Sequence, residues 1–123
     1  MKKSELEERL IAFAVICIEI SRKMEEDKAG AHLMGQIIRS SASCALNYGE
    51  AQSGESRKDF IHKMKIVLKE LRETNVNLKI ISGINICTDK VQLESALLEC
   101  EQLISIFYKS IDTARKNARP GKI

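Results

Sequence analysis

Tryptophan is missing from this 123-residue chain, and proline occurs once, at Pro120 close to the end. Six glycines and two histidines complete the short supply. So little proline and glycine excludes a collagenous or low-complexity chain and leaves few obligatory breaks. Aromatic mass comes only from Phe13, Phe60 and Phe107 with Tyr48 and Tyr108, so a core of this size must be aliphatic. Cysteine stands at 17, 44, 87 and 100 without a C-x-x-C pair. Cys17, Cys44 and Cys100 fall on apolar helical faces, which predicts buried free thiols in a reducing compartment rather than disulfides or a metal site. The longest apolar run, Leu10 to Ile18, is too short to span a bilayer. Glu5, Glu7 and Glu8 before it, and Glu19, Arg22 and Lys23 after it, do not fit a signal peptide. The expectation is a cytoplasmic protein without a membrane contact.

What is abundant is Leu, Ile, Ala, Glu and Lys at helical spacing. The length fits one domain, 1–123. Four helices account for the pattern, at about 4–27, 31–53, 55–82 and 89–116. Ser4 with Glu7 reads as a capping box for the first. Lys28-Ala29-Gly30 and Ser53-Gly54 read as breaks, Gly83 to Cys87 as a short connection, Thr88 or Asp89 as the fourth cap, and the tail from Lys116 as frayed. The expected core positions are Leu33, Ile37, Ser41, Cys44, Tyr48 and Ala51 on the second helix. On the fourth they are Leu93, Leu97, Cys100, Ile104, Phe107, Ile111 and Ala114. Long helices with short connections predict an all-α, antiparallel up-down-up-down four-helix bundle. Helix 1 is apolar almost all round over Leu10–Ile20, which predicts a second buried face and hence a homo-oligomer. Ser40-Ser41-Ala42-Ser43 supplies small side chains for close helix approach.

The formal charge is only +3, but it is unevenly spread. Residues 55–83 carry seven Lys or Arg against four Asp or Glu. A second small cluster closes the chain at Arg115, Lys116, Arg119 and Lys122. On the third helix Lys58, Lys65, Arg72 and Lys79 recur every seven residues, beside an apolar stripe of Phe60, Met64, Val67, Leu71, Thr74, Leu78 and Ile81. Seven residues are nearly two turns, so the cations form one column. Arg39, Arg57, Lys63 and Lys69 widen it. The column reads either as a solvated face balanced by Asp59, Glu70 and Glu73, or as a nucleic-acid-binding track along a phosphate backbone. No aromatic residue is interleaved in it, so base stacking is not expected from this face.

Catalytic signals are lacking. No P-loop, G-x-G-x-x-G, G-x-S-x-G or H-E-x-x-H occurs. Asp59-x-x-His62 has no second copy of the kind a di-iron bundle needs, and His62 falls on the outer face. Asn47 and Glu50 inside helix 2 are expected to be structural polar residues that fix helix register. Glu70 and Glu73 are expected to pair with Arg72 or Arg39. The chain reads as a protein that is not an enzyme and takes no cofactor or metal.

Three stretches resemble a known family. They are Ile38-Arg39-Ser40-Ser41-Ala42-Ser43, Asn47-Tyr48-Gly49-Glu50-Ala51, and the run from Ser56-Arg57-Lys58-Asp59-Phe60 to Lys69-Glu70-Leu71-Arg72-Glu73-Thr74. Together they are similar to the four-helix bundle proteins of the 23S ribosomal RNA intervening-sequence family. The resemblance implies a bacterial, left-handed bundle that assembles as a homopentamer. It also implies nucleic acid as a partner, or a protein partner such as the reverse transcriptase of a diversity-generating retroelement, to which a related branch is accessory.

Overall fold

The computed structural model describes residues 1–54 and 56–117. These form four helices, α1 (Lys3–Ser21), α2 (Lys28–Gln52), α3 (Arg57–Ile84) and α4 (Lys90–Asn117), and among the described residues there is no strand beyond one isolated bridge. Helices α2, α3 and α4 are 25, 28 and 28 residues long, or roughly 40 Å each at 1.5 Å per residue. Glu55, Arg119 and Lys122 lie outside the described residues.

The helices close in chain order. Helix α1 packs on α2 and α4, and α3 packs on α2 and α4. Side-chain contacts give the directions. Arg9, early in α1, reaches Glu99 and Gln102 on α4, whereas Glu19, late in α1, meets Gln92, early in α4. Ser40 meets Thr74 and Glu50 meets Lys63, so α2 and α3 also run antiparallel. The core is aliphatic around three aromatic rings, Phe13, Tyr48 and Phe107. Phe107 meets Tyr48 edge to face, with centroids 5.6 Å apart and planes at 82°. All four cysteines are buried free thiols. Burial pushes Cys17 and Cys100 up to about 12 and raises Cys44 as well, so these three are not thiolates at neutral pH.

The helix ends depart from the expected ones for physical reasons. Ser4 is not the cap of α1. Lys2 holds the cap position and no side chain caps the helix. Helix α1 stops at Ser21, six residues early, because the chain turns there to pair with the α3–α4 connection. Glu25 N–H donates to Ile86 O at 3.0 Å and Thr88 N–H to Lys23 O at 2.9 Å. Lys23 also meets Asp89 at 2.9 Å. Lys28-Ala29-Gly30 opens α2 rather than separating two helices, since Asp27 caps it by accepting from Gly30 N–H at 2.7 Å. A Cβ on Gly30 would run into the Glu25 carbonyl oxygen, which is why glycine suits that position. Gly83 stays helical, and α3 ends instead at Asn85 in the left-handed region, φ 58°. Asp89 caps α4 by accepting from Gln92 N–H. That amide, then Lys23, holds its carboxyl below the ordinary range. Lys116 is still helical and pairs with Asp112 at 3.0 Å. On α4, Ala96 and Leu103 are fully enclosed, and Leu97 and Ile104 sit half-buried beside them.

Candidate nucleic-acid interface

Helix α3 turns Met64, Val67, Leu71, Thr74, Leu78 and Ile81 into the core, with Phe60 half-buried at its start. That register forces Lys58, Lys65, Arg72 and Lys79 outward, and all four are exposed. Seven residues at 1.5 Å each space them by about 10 Å. An α-helix drifts about 20° per seven residues, so the column winds gradually around α3 rather than running straight. Arg57 and Lys69 are exposed as well. Among the described residues, none of these six cations forms an ion pair.

The other two candidates are engaged. Arg39 on α2 lies 3.5 Å from Glu70 and 3.3 Å from Glu73. Lys63 lies 3.5 Å from Glu50. The pairs with Glu73 and Glu50 are solvent-exposed and contribute less than about 1 kcal/mol to stability, but all of them offset charge that a polyanion would otherwise meet. Glu70 is buried, and its Oε2 accepts no hydrogen bond from a described residue. Burial, then the neighbouring Glu73, raises its carboxyl above the ordinary range, with Arg39 only partly opposing them. Asn47 does not reach a neighbouring helix. Its amide donates to the Ser43 carbonyl and to Ser43 Oγ, both at 2.9 Å, within α2. A buried hydroxyl pair does join α2 to α3, Ser40 Oγ to Thr74 Oγ1 at 2.7 Å, and Thr74 also donates to the Glu70 carbonyl.

Two open grooves flank the ridge made by Lys69 and Arg72. On the α2 side, Gln36, Arg39 and Val76 complete a groove of about 590 Å³. On the α4 side, Lys65, Lys69 and Arg72 face Tyr108, Asp112 and Arg115 across a groove of about 260 Å³, floored by Leu68 and Ile111. The column itself has no aromatic residue, yet the fold lays one beside it from α4. Sequence reasoning missed Tyr108 and Arg115 as members of this surface. Their own seven-residue spacing was a signal, but nothing local says which flank of α4 abuts α3.

The family model described as 23S rRNA-intervening sequence protein matches residues 2–109. The chain belongs to that family. A solved structure similar to this chain is that of a protein with unknown function from the S23 ribosomal protein family, from Bacteroides thetaiotaomicron. It is 28% identical, the match covers 91% of this chain and 99% of that one, and the TM-score is 0.80. No curated protein matches the chain. The family match takes in the whole basic column and Tyr108 but stops before Arg115. Among the described residues, no group of three or more His, Cys, Asp or Glu is placed to hold a metal ion, and no helix is long and apolar enough to cross a membrane.

Proposed function

We propose that this chain is a non-enzymatic, cytoplasmic homo-oligomer that binds RNA or DNA backbone through the basic face of α3. One observation carries the reading: Arg57, Lys58, Lys65, Lys69, Arg72 and Lys79 are exposed on one helix and have no ion-pair partner among the described residues. Cations held on a rigid helix, unneutralised and about 10 Å apart, favour a polyanion over isolated counter-ions. Four phosphates neutralised by the column predict an affinity that falls roughly 10²-fold between 50 and 200 mM salt. Fluorescence anisotropy with labelled structured RNA and duplex DNA measures this. Binding that ignores salt, or no binding at the lower concentration, removes the reading.

Self-association rests on a second surface. Ile11 and Val15 of α1 are 47% and 49% exposed, and Ile38 and Leu46 of α2 are 38% and 68% exposed. The two charges of α2 beyond its first turn, Arg39 and Glu50, are both turned to α3 by their ion pairs. Between Glu7 and Glu19 of α1, the middle of the α1–α2 flank is therefore an apolar face, of the kind that isologous or ring contacts cover. A left-handed bundle closed into a homopentamer is the assembly we propose. Val15→Glu places a charge there without entering the core, so it should lower the mass measured by light scattering to that of smaller species while the helical circular dichroism persists. A folded variant of unchanged mass would move the interface elsewhere and leave this flank to a protein partner such as a polymerase.

A further inference from the structure

We propose that the α3–α4 groove selects unpaired nucleotides, with a base stacked on Tyr108 and the adjoining phosphates on Lys65, Lys69, Arg72 and Arg115. This rests on the nucleic-acid reading above and names the form of nucleic acid that the site prefers. Tyr108 is 61% exposed, and its ring shares one groove with four cations. The groove's one acidic residue, Asp112, is already engaged by Lys116 at 3.0 Å, so the cations dominate the charge an incoming phosphate meets. The end of α3 at Ile81 lies beside the start of α4 at Leu93, and Phe60 beside Thr113, so the two helices run antiparallel, with Tyr108 toward the Arg72 end of the groove and Arg115 toward the Lys65 end. A strand lying along it would therefore meet cations on both walls and an aromatic face at one end.

Duplex geometry does not use that arrangement. Paired bases are stacked inside the helix and offer a side chain only their edges and phosphates, whereas unpaired bases expose faces for an aromatic ring. The volume of about 260 Å³ is below the 300–1,000 Å³ of pockets that enclose a small molecule. It suits one segment of a strand that continues onto Lys58 or Lys79, not a free nucleotide sealed from water.

The test compares wild type, Tyr108→Ala and Tyr108→Phe at 50 mM salt by fluorescence anisotropy. The probes are a short labelled RNA without self-complementarity and the same RNA annealed to its complement. Loss of a stacked base should weaken single-strand binding by Tyr108→Ala roughly tenfold or more, leave duplex binding within about twofold, and be restored by Tyr108→Phe. Wild-type single-strand affinity in Tyr108→Ala, or an equal loss on both probes, overturns this inference and leaves the backbone track standing. Failure of wild type to bind either probe overturns both. The oligomeric mass of Tyr108→Ala should match wild type; a change in mass assigns the ring to an interface between subunits and overturns the stacking role.

Discussion

Simultaneous reversal of Lys58, Lys65, Arg72 and Lys79 to glutamate is expected to weaken binding to structured RNA or duplex DNA by at least about 10²-fold at low salt and to flatten the salt dependence of whatever binding is left. The size follows from counter-ion release: each phosphate contact contributes about 0.9 to the slope of log K against log salt, and four contacts vanish together. Reversal also adds repulsion that neutralisation would not. The fold should survive. All four side chains are exposed and none holds an ion-pair partner among the described residues, so each change is of the surface kind that shifts stability by no more than about 0.5 kcal/mol. Residue 65 lies four positions before Lys69, where a carboxylate gains a favourable neighbour on the same helix face. Anisotropy and a thermal melt on one preparation decide the matter. A variant that melts like wild type and still binds like wild type would turn the column back into a solvated face. Lys63 and Arg39 serve as controls, since their pairing with Glu50 and with Glu70 and Glu73 predicts smaller losses when either is changed alone.

The core of α3 and its basic column were legible because both obey one local rule, the helical repeat, and α3 carries no strong breaker between its Ser56 cap and Gly83. The ends of the helices were less so. Lys28-Ala29-Gly30 reads as a break by composition, yet Asp27 supplies a cap and the chain is helical from Lys28. Gly83 is a breaker by propensity, but a helix continues through glycine at a cost of about 1 kcal/mol when its neighbours are packed. Ile81 is fully buried just before it, and the left-handed turn falls to Asn85. Helix α1 ends where residues 23–25 pair with residues 86–88, a contact between chain segments far apart in sequence that no local window contains. Tyr108 and Arg115 were missed for the same reason. The amphipathic pattern of α4 says which stripe is buried, not which flank meets α3, and only the closed square of helices settles that. Asn47 is a contrary case, in which a mid-helix polar residue invites a partner across the bundle but is satisfied one turn back at Ser43.

The largest loss of stability is expected at Phe107. Its side chain is fully buried, and its ring stands edge-on to Tyr48 at 5.6 Å, tying α4 to α2 across the bundle. With Phe13 it is one of two fully enclosed aromatic rings. Phe107→Ala should cost about 3–5 kcal/mol, the sum of lost burial and of a cavity that an aliphatic core collapses into only partly. The edge-to-face contact accounts for about 0.5–1.5 kcal/mol beyond area alone. Against a total stability of about 5–15 kcal/mol, that loss lowers the melting temperature by on the order of 15 °C. Phe107→Leu keeps most of the volume and should lose well under half as much. The consequence for function follows from position. Phe107 sets the rotation of α4 at the point where Tyr108 emerges beside Lys65, Lys69 and Arg72. Below its lowered melting temperature, Phe107→Ala should therefore hold duplex, which needs only the α3 column, better than it holds single-stranded RNA. Equal retention of both would mean that α4 keeps its seating without the ring, and a melting temperature within a few degrees of wild type would mean that the core refills the space.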